Sequence, residues 1–321
     1  MVERYFRVEK ILYLVFAIIG VPVNVLAIAI LSRGKCGLSI CTTRYLVAMA
    51  ATDLLVIVNE VILYQTKYHY FPRNFLNLTP MCTIIRVLTY VSTDCSVWFT
   101  VTFTFDRFVA ISCQKMKTKY CTGKTAAAVL AITGTLFCLK NIPIFFTYGP
   151  KKIIDNIPWF CFPKPSYFSE TGWVVFDWVD TILTPLLPFA LILLLNILTV
   201  RHILVTSRIR KGLRGQNNGD SSSDPEMESR RRSMVLLLTL SGNFILLWLT
   251  FVLNFIYYQI TGTETEPNET EYIFSQVGRL LSNFSCCTNT FIYVATQSKF
   301  RTEMKSAVQS VVSLVFRFIN H

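Results

Sequence analysis

Charge is scarce in this chain: 16% of its 321 residues are charged, against about a quarter in an ordinary soluble protein. Its ten cysteines form no CxxC pair and no Cys/His cluster, which removes the usual zinc-type metal sites. No repeat of about 20 to 50 residues and no inverted halves are visible, and this weakens solenoid and transporter readings. What is abundant is apolar surface: 52% of residues are hydrophobic and mean hydropathy is +0.46. The apolar residues fall into runs of about 20, the length that crosses a bilayer as helix. An integral membrane protein follows, and soluble catalysis and nucleic-acid binding leave the list of functions.

Seven spans are expected: Ile11 to Ser32, Tyr45 to Gln65, Met81 to Ser112, Thr125 to Thr147, Trp173 to Val200, Ser233 to Ile260 and Tyr272 to Thr296. Only ten residues precede the first, so a cleaved leader with a basic head and cleavage site is not expected. The fold class is therefore an all-α membrane protein, a seven-transmembrane helix bundle. Its domains are an extracellular segment 1–10, a helical domain 11–298 and a cytoplasmic tail 299–321. Within the helical domain, 206–232 surrounds a Gly/Ser-rich stretch at 212–225 and reads as a disordered cytoplasmic loop. In the tail, Phe300, Met304, Val308, Val311, Val312 and Phe316 alternate with Arg301, Lys305 and Arg317, the pattern of a short amphipathic eighth helix on the bilayer surface.

Basic residues are retained on the cytoplasmic side. Loops 32–44, 113–124 and 201–233 with the tail 297–321 hold 19 Lys and Arg, and the alternate set holds 8. The amino terminus is thus expected outside and the carboxyl terminus inside. Two sequons, at Asn77 and Asn268, fall in loops this topology places outside, where glycosylation is expected; the sequon at Asn283 lies within a span and is read as chance. Cys82 and Cys161 are the two cysteines that clearly share the oxidising side, and a disulfide between them would tie a loop over the bundle. Two free thiols are the competing reading.

An intramembrane charge usually marks function. Asp53 lies about 15 Å into the second helix, and the same rise per residue puts Asn24, Ser96 and Asn289 at similar depth. A carboxylate among oxygens and amides suits Na⁺ or a proton, and a hydrogen-bond network that only joins helices is an equal alternative. Cys82 and Arg107 are 25 residues apart, about 37 Å of helix, so they mark the two faces of one membrane-crossing rod.

The chain resembles a rhodopsin-like (class A) G protein-coupled receptor over essentially its whole length. The residues that carry the likeness are Gly20-Val21-Pro22-Val23-Asn24-Val25, Leu46 to Leu54 with Asp53, Cys82, Asp106-Arg107-Phe108, Pro188, Trp248 and Asn289-Thr290-Phe291-Ile292-Tyr293. Within that family it looks most like the orphan receptor 139/142 group, through the G-x-P-x-N first helix, a fourth helix without tryptophan, Pro188 eight residues before Asn196, and Lys299-Phe300-Arg301-Thr302. It departs in Phe108 for the usual tyrosine and in Thr290 and Thr250 for two helix-bending prolines. The hydroxyls of these threonines are expected to bend the helices more weakly, through bonds to backbone carbonyls.

What the resemblance implies is a plasma-membrane receptor with no catalytic step. It takes an extracellular small-molecule or peptide ligand and shifts between two states to activate a heterotrimeric G protein. Asp106, Arg107, Asn289, Tyr293, Trp248 and Pro188 would form the switch and coupling set. Asn24, Asp53, Ser96, Ser285 and Asn289 would hold Na⁺ as an allosteric ion. An acid eighteen residues before the tryptophan normally restrains the arginine, and here that position is Arg230. Thr89 stands where amine receptors carry aspartate, which argues against a monoamine. The expected pocket comprises Arg86, Thr89, Asp177, Asp180, Phe251, Phe255 and Arg279, with Lys140, Glu60 and Asp94 nearby. Mixed charges suit a zwitterionic amino acid or short peptide whose carboxylate an arginine grips, and arginines snorkelling to the surface are the even alternative. The turn-like Asp155-Asn156 between Ile153-Ile154 and Trp159 to Phe162 suggests a hairpin lid. A transporter or channel, or a receptor-like protein that does not signal, are the other classes.

Overall fold

The computed structural model describes residues 2–71, 74–214, 225–261 and 268–319. Seven long helices form the bundle. They are α1 (Val2–Ser32), α2 (Ile40–Val56, continuing through a π-helical stretch Ile57–Thr66), α3 (Thr79–Ser112), α4 (Gly123–Asn141), α5 (Thr171–Thr181, Ile182–Leu186 and Leu187–Arg214), α6 (Pro225–Thr261) and α7 (Glu269–Thr296). An eighth helix, α8 (Ser298–Ile319), follows, and β1 (Tyr148–Ile154) and β2 (Ile157–Pro163) form an antiparallel hairpin between α4 and α5.

Local chemistry sets several boundaries. Ser39 caps α2 by accepting the Thr42 amide, Thr122 caps α4 by accepting that of Thr125, and Asn268 with Glu271 builds a reciprocal capping box at α7. Asp155 and Asn156, at φ 52° and 62°, close the two-residue hairpin turn; both positive angles match the mirror-image turn that follows strand twist, and Asp and Asn tolerate that region. In α5 Thr184, next to Pro185, stands at φ −151°, ψ 106° and breaks the helix. The Trp98 indole of α3 donates to the freed Leu183 carbonyl at 3.0 Å.

Two boundaries correct the sequence reading. Residues 2–10 are not a separate segment but the first turns of α1, where Phe6 meets Tyr272 of α7 at 6.0 Å between rings. The run is charged enough to look like a tail, yet its Glu, Arg and Lys are good helix formers. Similarly, α5 runs to Arg214 and α6 begins at Pro225, so most of 206–232 is helical and only 215–224 lie outside the described residues. Proline at the first helical position followed by two glutamates within the first turn is a start signal that the Gly/Ser-rich centre overshadowed.

Among the described residues five helices are long and apolar enough to cross a membrane by themselves: those of α1, α2, α4, α5 and α6. Helices α3 and α7 complete the seven from inside: α3 touches α2, α4, α5 and α6, and α7 packs on α6, α1 and α2. Their polar residues face protein rather than lipid. The outward faces of the others are apolar, with Ile18, Ile132, Leu136, Ile197 and Leu246 more than half exposed, the surface a bilayer covers. The largest core, around Tyr45, Met49, Phe103, Leu236 and Tyr293, fills the end of the bundle that carries Arg107. Phe300 of α8 is fully buried against Tyr293, while Arg301 and Lys305 stay exposed.

Candidate functional site

At one end of the bundle Cys82, near the start of α3, is disulfide-bonded to Cys161 of β2, with Cα atoms 5.7 Å apart. The Thr79 hydroxyl donates to the Phe160 carbonyl at 2.7 Å, a second tie between hairpin and helix. The expected hairpin is present, but none of its residues lines the cavity below. Outside the spans, burial and then the Asp177 carboxylate that accepts its hydroxyl at 2.6 Å push the Tyr167 phenol up. The two expected glycosylation positions separate here. Asn77 is 2% exposed and its amide donates to the Phe71 carbonyl at 3.1 Å, so a glycan there has no room. Asn268 is exposed, and its side-chain oxygen accepts the Glu271 amide in the α7 cap.

A cavity of about 270 Å³ lies at this end between α3, α5, α6 and α7. All seven expected pocket residues line it: Arg86, Thr89, Asp177, Asp180, Phe251, Phe255 and Arg279. They are not equally free. Arg86 is paired with Glu60 at 3.1 Å and lies 4.4 Å from the Tyr64 ring centroid, a cation held in an aromatic and acidic cage. The π-helical stretch of α2 brings Glu60 there and, one residue earlier, lets Asn59 donate to Ser92 of α3 at 2.9 Å. Arg279 has no acid within hydrogen-bonding reach among the described residues. Lys140 of α4 bridges Asp94 of α3, at 2.7 Å, and Asp180 of α5. Thr89 Oγ1 and Asn283 Nδ2, 8% and 6% exposed by residue, line the same cavity and have no hydrogen-bond partner among the described residues.

Trp248 is the cavity's floor. Its ring stacks on Phe244 at 5.3 Å, and its indole nitrogen donates to the Ser285 hydroxyl at 3.2 Å. Below it, Asp53 accepts from Ser96 at 2.6 Å and from Asn289 at 2.8 Å, joining α2, α3 and α7. Asn24 does not join them. Its amide donates to the Gly20 and Cys286 carbonyls at 2.9 Å each, so shared depth placed it on a neighbouring azimuth. Thr290, expected to bend its own helix, donates instead to the Val23 carbonyl of α1 at 3.2 Å. Pro188 is buried one turn beyond the Thr184 break.

At the opposite end Arg107 is held by its neighbour Asp106 through Nε at 3.0 Å and through Nη2, and its Nη1 reaches Ser233 of α6 at 3.5 Å. Asp106 also accepts the Cys41 thiol at 3.2 Å. The arginine opens into a second cavity of about 460 Å³ that Lys117, Arg232 and Lys299 also line. Tyr293 is fully buried and its hydroxyl has no partner among the described residues. The side chain of Arg230 lies outside the described residues. Lys140 was expected near the pocket, whereas Asn59 and Asn283 were not, because which side chains share one space is decided by the neighbouring helices; their polarity within apolar runs was the available signal.

A helical bundle with a tethered, charged cavity at one end and a basic crevice around a buried acid–arginine pair at the other defines a multi-pass membrane receptor. Residues 23–293 match the 7 transmembrane receptor (rhodopsin family), and the chain belongs to it. It is similar to C-C chemokine receptor type 8 of Mus musculus, 26% identical over 96% of this chain and 81% of that one. It is also similar to the human growth hormone secretagogue receptor type 1, at 25% over 88% and 76%, and to the FMRFamide receptor of Drosophila melanogaster, at 23% over 92% and 53%. The chain is thus a G protein-coupled cell-surface receptor of the plasma membrane and not an enzyme.

Proposed function

We propose that the disulfide end faces outside, that the 270 Å³ cavity there takes an amino acid or short peptide carrying an acidic group, and that the Arg107 end opens to a heterotrimeric G protein. The observation that carries the ligand reading is Arg279, a cation on the cavity wall with no acid in hydrogen-bonding reach among the described residues, one helical turn from the Asn283 amide, which has no partner among them either. A carboxylate satisfies both, and arginine–carboxylate bonds are among the stronger polar contacts. Arg86 is already neutralised by Glu60, so it shapes the site instead. The excess of Lys and Arg on one side supports the orientation. The likeness to the orphan receptor 139/142 group rests on Gly20-x-Pro22-x-Asn24 and Lys299-Phe300-Arg301-Thr302 and is part of this proposal.

Ligand binding shifts a two-state equilibrium by its differential affinity for the two states. Trp248 links the cavity to Ser285, and Asp53 with Ser96 and Asn289 lies next below. The oxygens of Asp53, Ser96 and Ser285 form a donor set that suits Na⁺, which would hold the inactive state. The test is nucleotide exchange on purified G proteins by receptor in nanodiscs, challenged with a library of amino acids and short peptides. Exchange that rises with a library member and is lost in Arg107→Ala is the expected result. A receptor that binds a member saturably yet never alters exchange on any G protein overturns the coupling half.

A further inference from the structure

The wall of the outer cavity opposite Arg279 carries the reverse charge. Asp94, Asp177 and Asp180 all line the cavity, whereas Lys140, which bridges Asp94 and Asp180, does not. The ammonium therefore sits behind the carboxylates, and this wall presents three acids backed by one base, while Glu60, also on the lining, is paired with Arg86. Two carboxylate oxygens are still open. Asp180 uses one oxygen for Lys140 and Asp177 uses one for the Tyr167 hydroxyl, and the second oxygen of each has no protein hydrogen bond among the described residues. These acids are three residues apart on α5, so they share a face. The buried Thr89 hydroxyl, 8% exposed and unpartnered, opens on the same space from α3.

We infer that Asp180 and Asp177 form a subsite for a cationic group of the ligand, with Lys140 as the resident counter-ion that this group displaces from Asp180. The assignment rests on the cavity being the ligand site. Paired with Arg279 across the cavity, it makes the favoured ligand one with separated charges, its ammonium or guanidinium on α5 and its acid on α7. Binding then has a mechanical consequence. Lys140 ties α4 to both α3 and α5; once Asp180 is taken by the ligand, the α4–α5 half of that tie is released and Lys140 remains with Asp94.

Receptor in nanodiscs is titrated with n-butylammonium chloride as the bare cation and with sodium propionate as the bare acid, each against NaCl at matched ionic strength. The unfolding midpoint is followed by tryptophan fluorescence. The wild type is expected to show a saturable rise with n-butylammonium. The concentration for half effect should increase at least tenfold in Asp180→Asn and fall at least tenfold in Lys140→Met, where the competing ammonium is gone. If Asp180→Asn does not fold, Asp177→Asn gives the same comparison. No saturable rise in the wild type, or the same rise in the wild type and in either aspartate variant, overturns the subsite. A propionate response lost in Arg279→Ala, with no n-butylammonium response, removes the cation subsite and keeps the ligand site. Silence with both probes removes both.

Discussion

Two glycines on neighbouring helices predict opposite stability changes. A Cβ built on Gly278 of α7 would stand 3.0 Å from the Phe251 Cα and 3.1 Å from its nitrogen, with the Thr250 carbonyl carbon at 3.4 Å. All three are α6 backbone atoms, which do not rotate away as a side-chain tip does. Gly278→Ala therefore forces α6 and α7 apart, and overpacking of this kind costs about 1–3 kcal/mol. A Cβ on Gly242 of α6 meets nothing within 4 Å. Both substitutions gain the same helix preference of alanine over glycine, about 1 kcal/mol, so the difference between the variants isolates the overpacking. At roughly 2–4 °C per kcal/mol for a domain of this size, Gly242→Ala should unfold above Gly278→Ala by about 2 to 12 °C, with the wild type between them. The measurement is thermal unfolding of each protein in the same nanodisc. A Gly278→Ala midpoint at or above that of Gly242→Ala would falsify the close approach of α6 and α7, and with it the placement of Phe251 beside the Arg279 turn.

The disulfide gives the second prediction: Cys82→Ser should reduce surface display severalfold by freeing the hairpin from α3, and normal display with unchanged ligand response refutes it. For the sodium reading, agonist affinity should fall with Na⁺ in the wild type and be insensitive to it in Asp53→Asn; equal insensitivity in both makes the Asp53 network purely structural. The two cavity arginines should separate. Arg279→Ala right-shifts the dose response at least tenfold at normal expression, while Arg86→Ala chiefly lowers expression by leaving Glu60 buried without its cation, and the reverse pattern defeats the argument. Finally, with Arg230 at the position where the resemblance implies an acid, ligand-independent signalling should be measurable and should drop in Arg230→Glu; basal exchange equal to that of untransfected cells at confirmed surface expression, or no drop, counts against it.

The number of spans, their order and the disulfide pair were legible because each rests on local composition or on compartment. The Asp155-Asn156 turn was legible for the same reason, since its positive φ angles are a property of two adjacent residues. Azimuth was not. Depth alone grouped Asn24 with Asp53, Ser96 and Asn289, whereas the amide of Asn24 turns to the Cys286 carbonyl on the α1–α7 seam. A rise of about 1.5 Å per residue fixes height along a helix but says nothing of rotation about it until the neighbours are known. Thr290 was misread similarly: a hydroxyl can bond its own helix or an adjacent one, and the tight α1–α7 contact offered the Val23 carbonyl. Asn77 is buried because it closes the turn at 74–77 and bonds the Phe71 carbonyl, a placement that no tripeptide encodes.

The least hydrophobic spans turn out to organise the rest. Helix α3 carries charge at three levels, and each is neutralised within the protein: Arg86 by Glu60 of α2 near the disulfide, Asp94 by Lys140 of α4 in the outer half, and Asp106 by Arg107 at the opposite end. A charged helix of this kind is costly in lipid and stable only when other helices surround it; conversely, the five apolar helices gain little by associating with one another, because lipid tails are as apolar as their side chains. The polar contacts of α3 and α7 therefore specify which helices assemble and in what rotation. The same contacts stand between the two cavities. A ligand that took Asp180 from Lys140 would act on a partner of α3 at its middle level, Asp94, and the arginine facing the second cavity sits on that same helix, 13 residues further along.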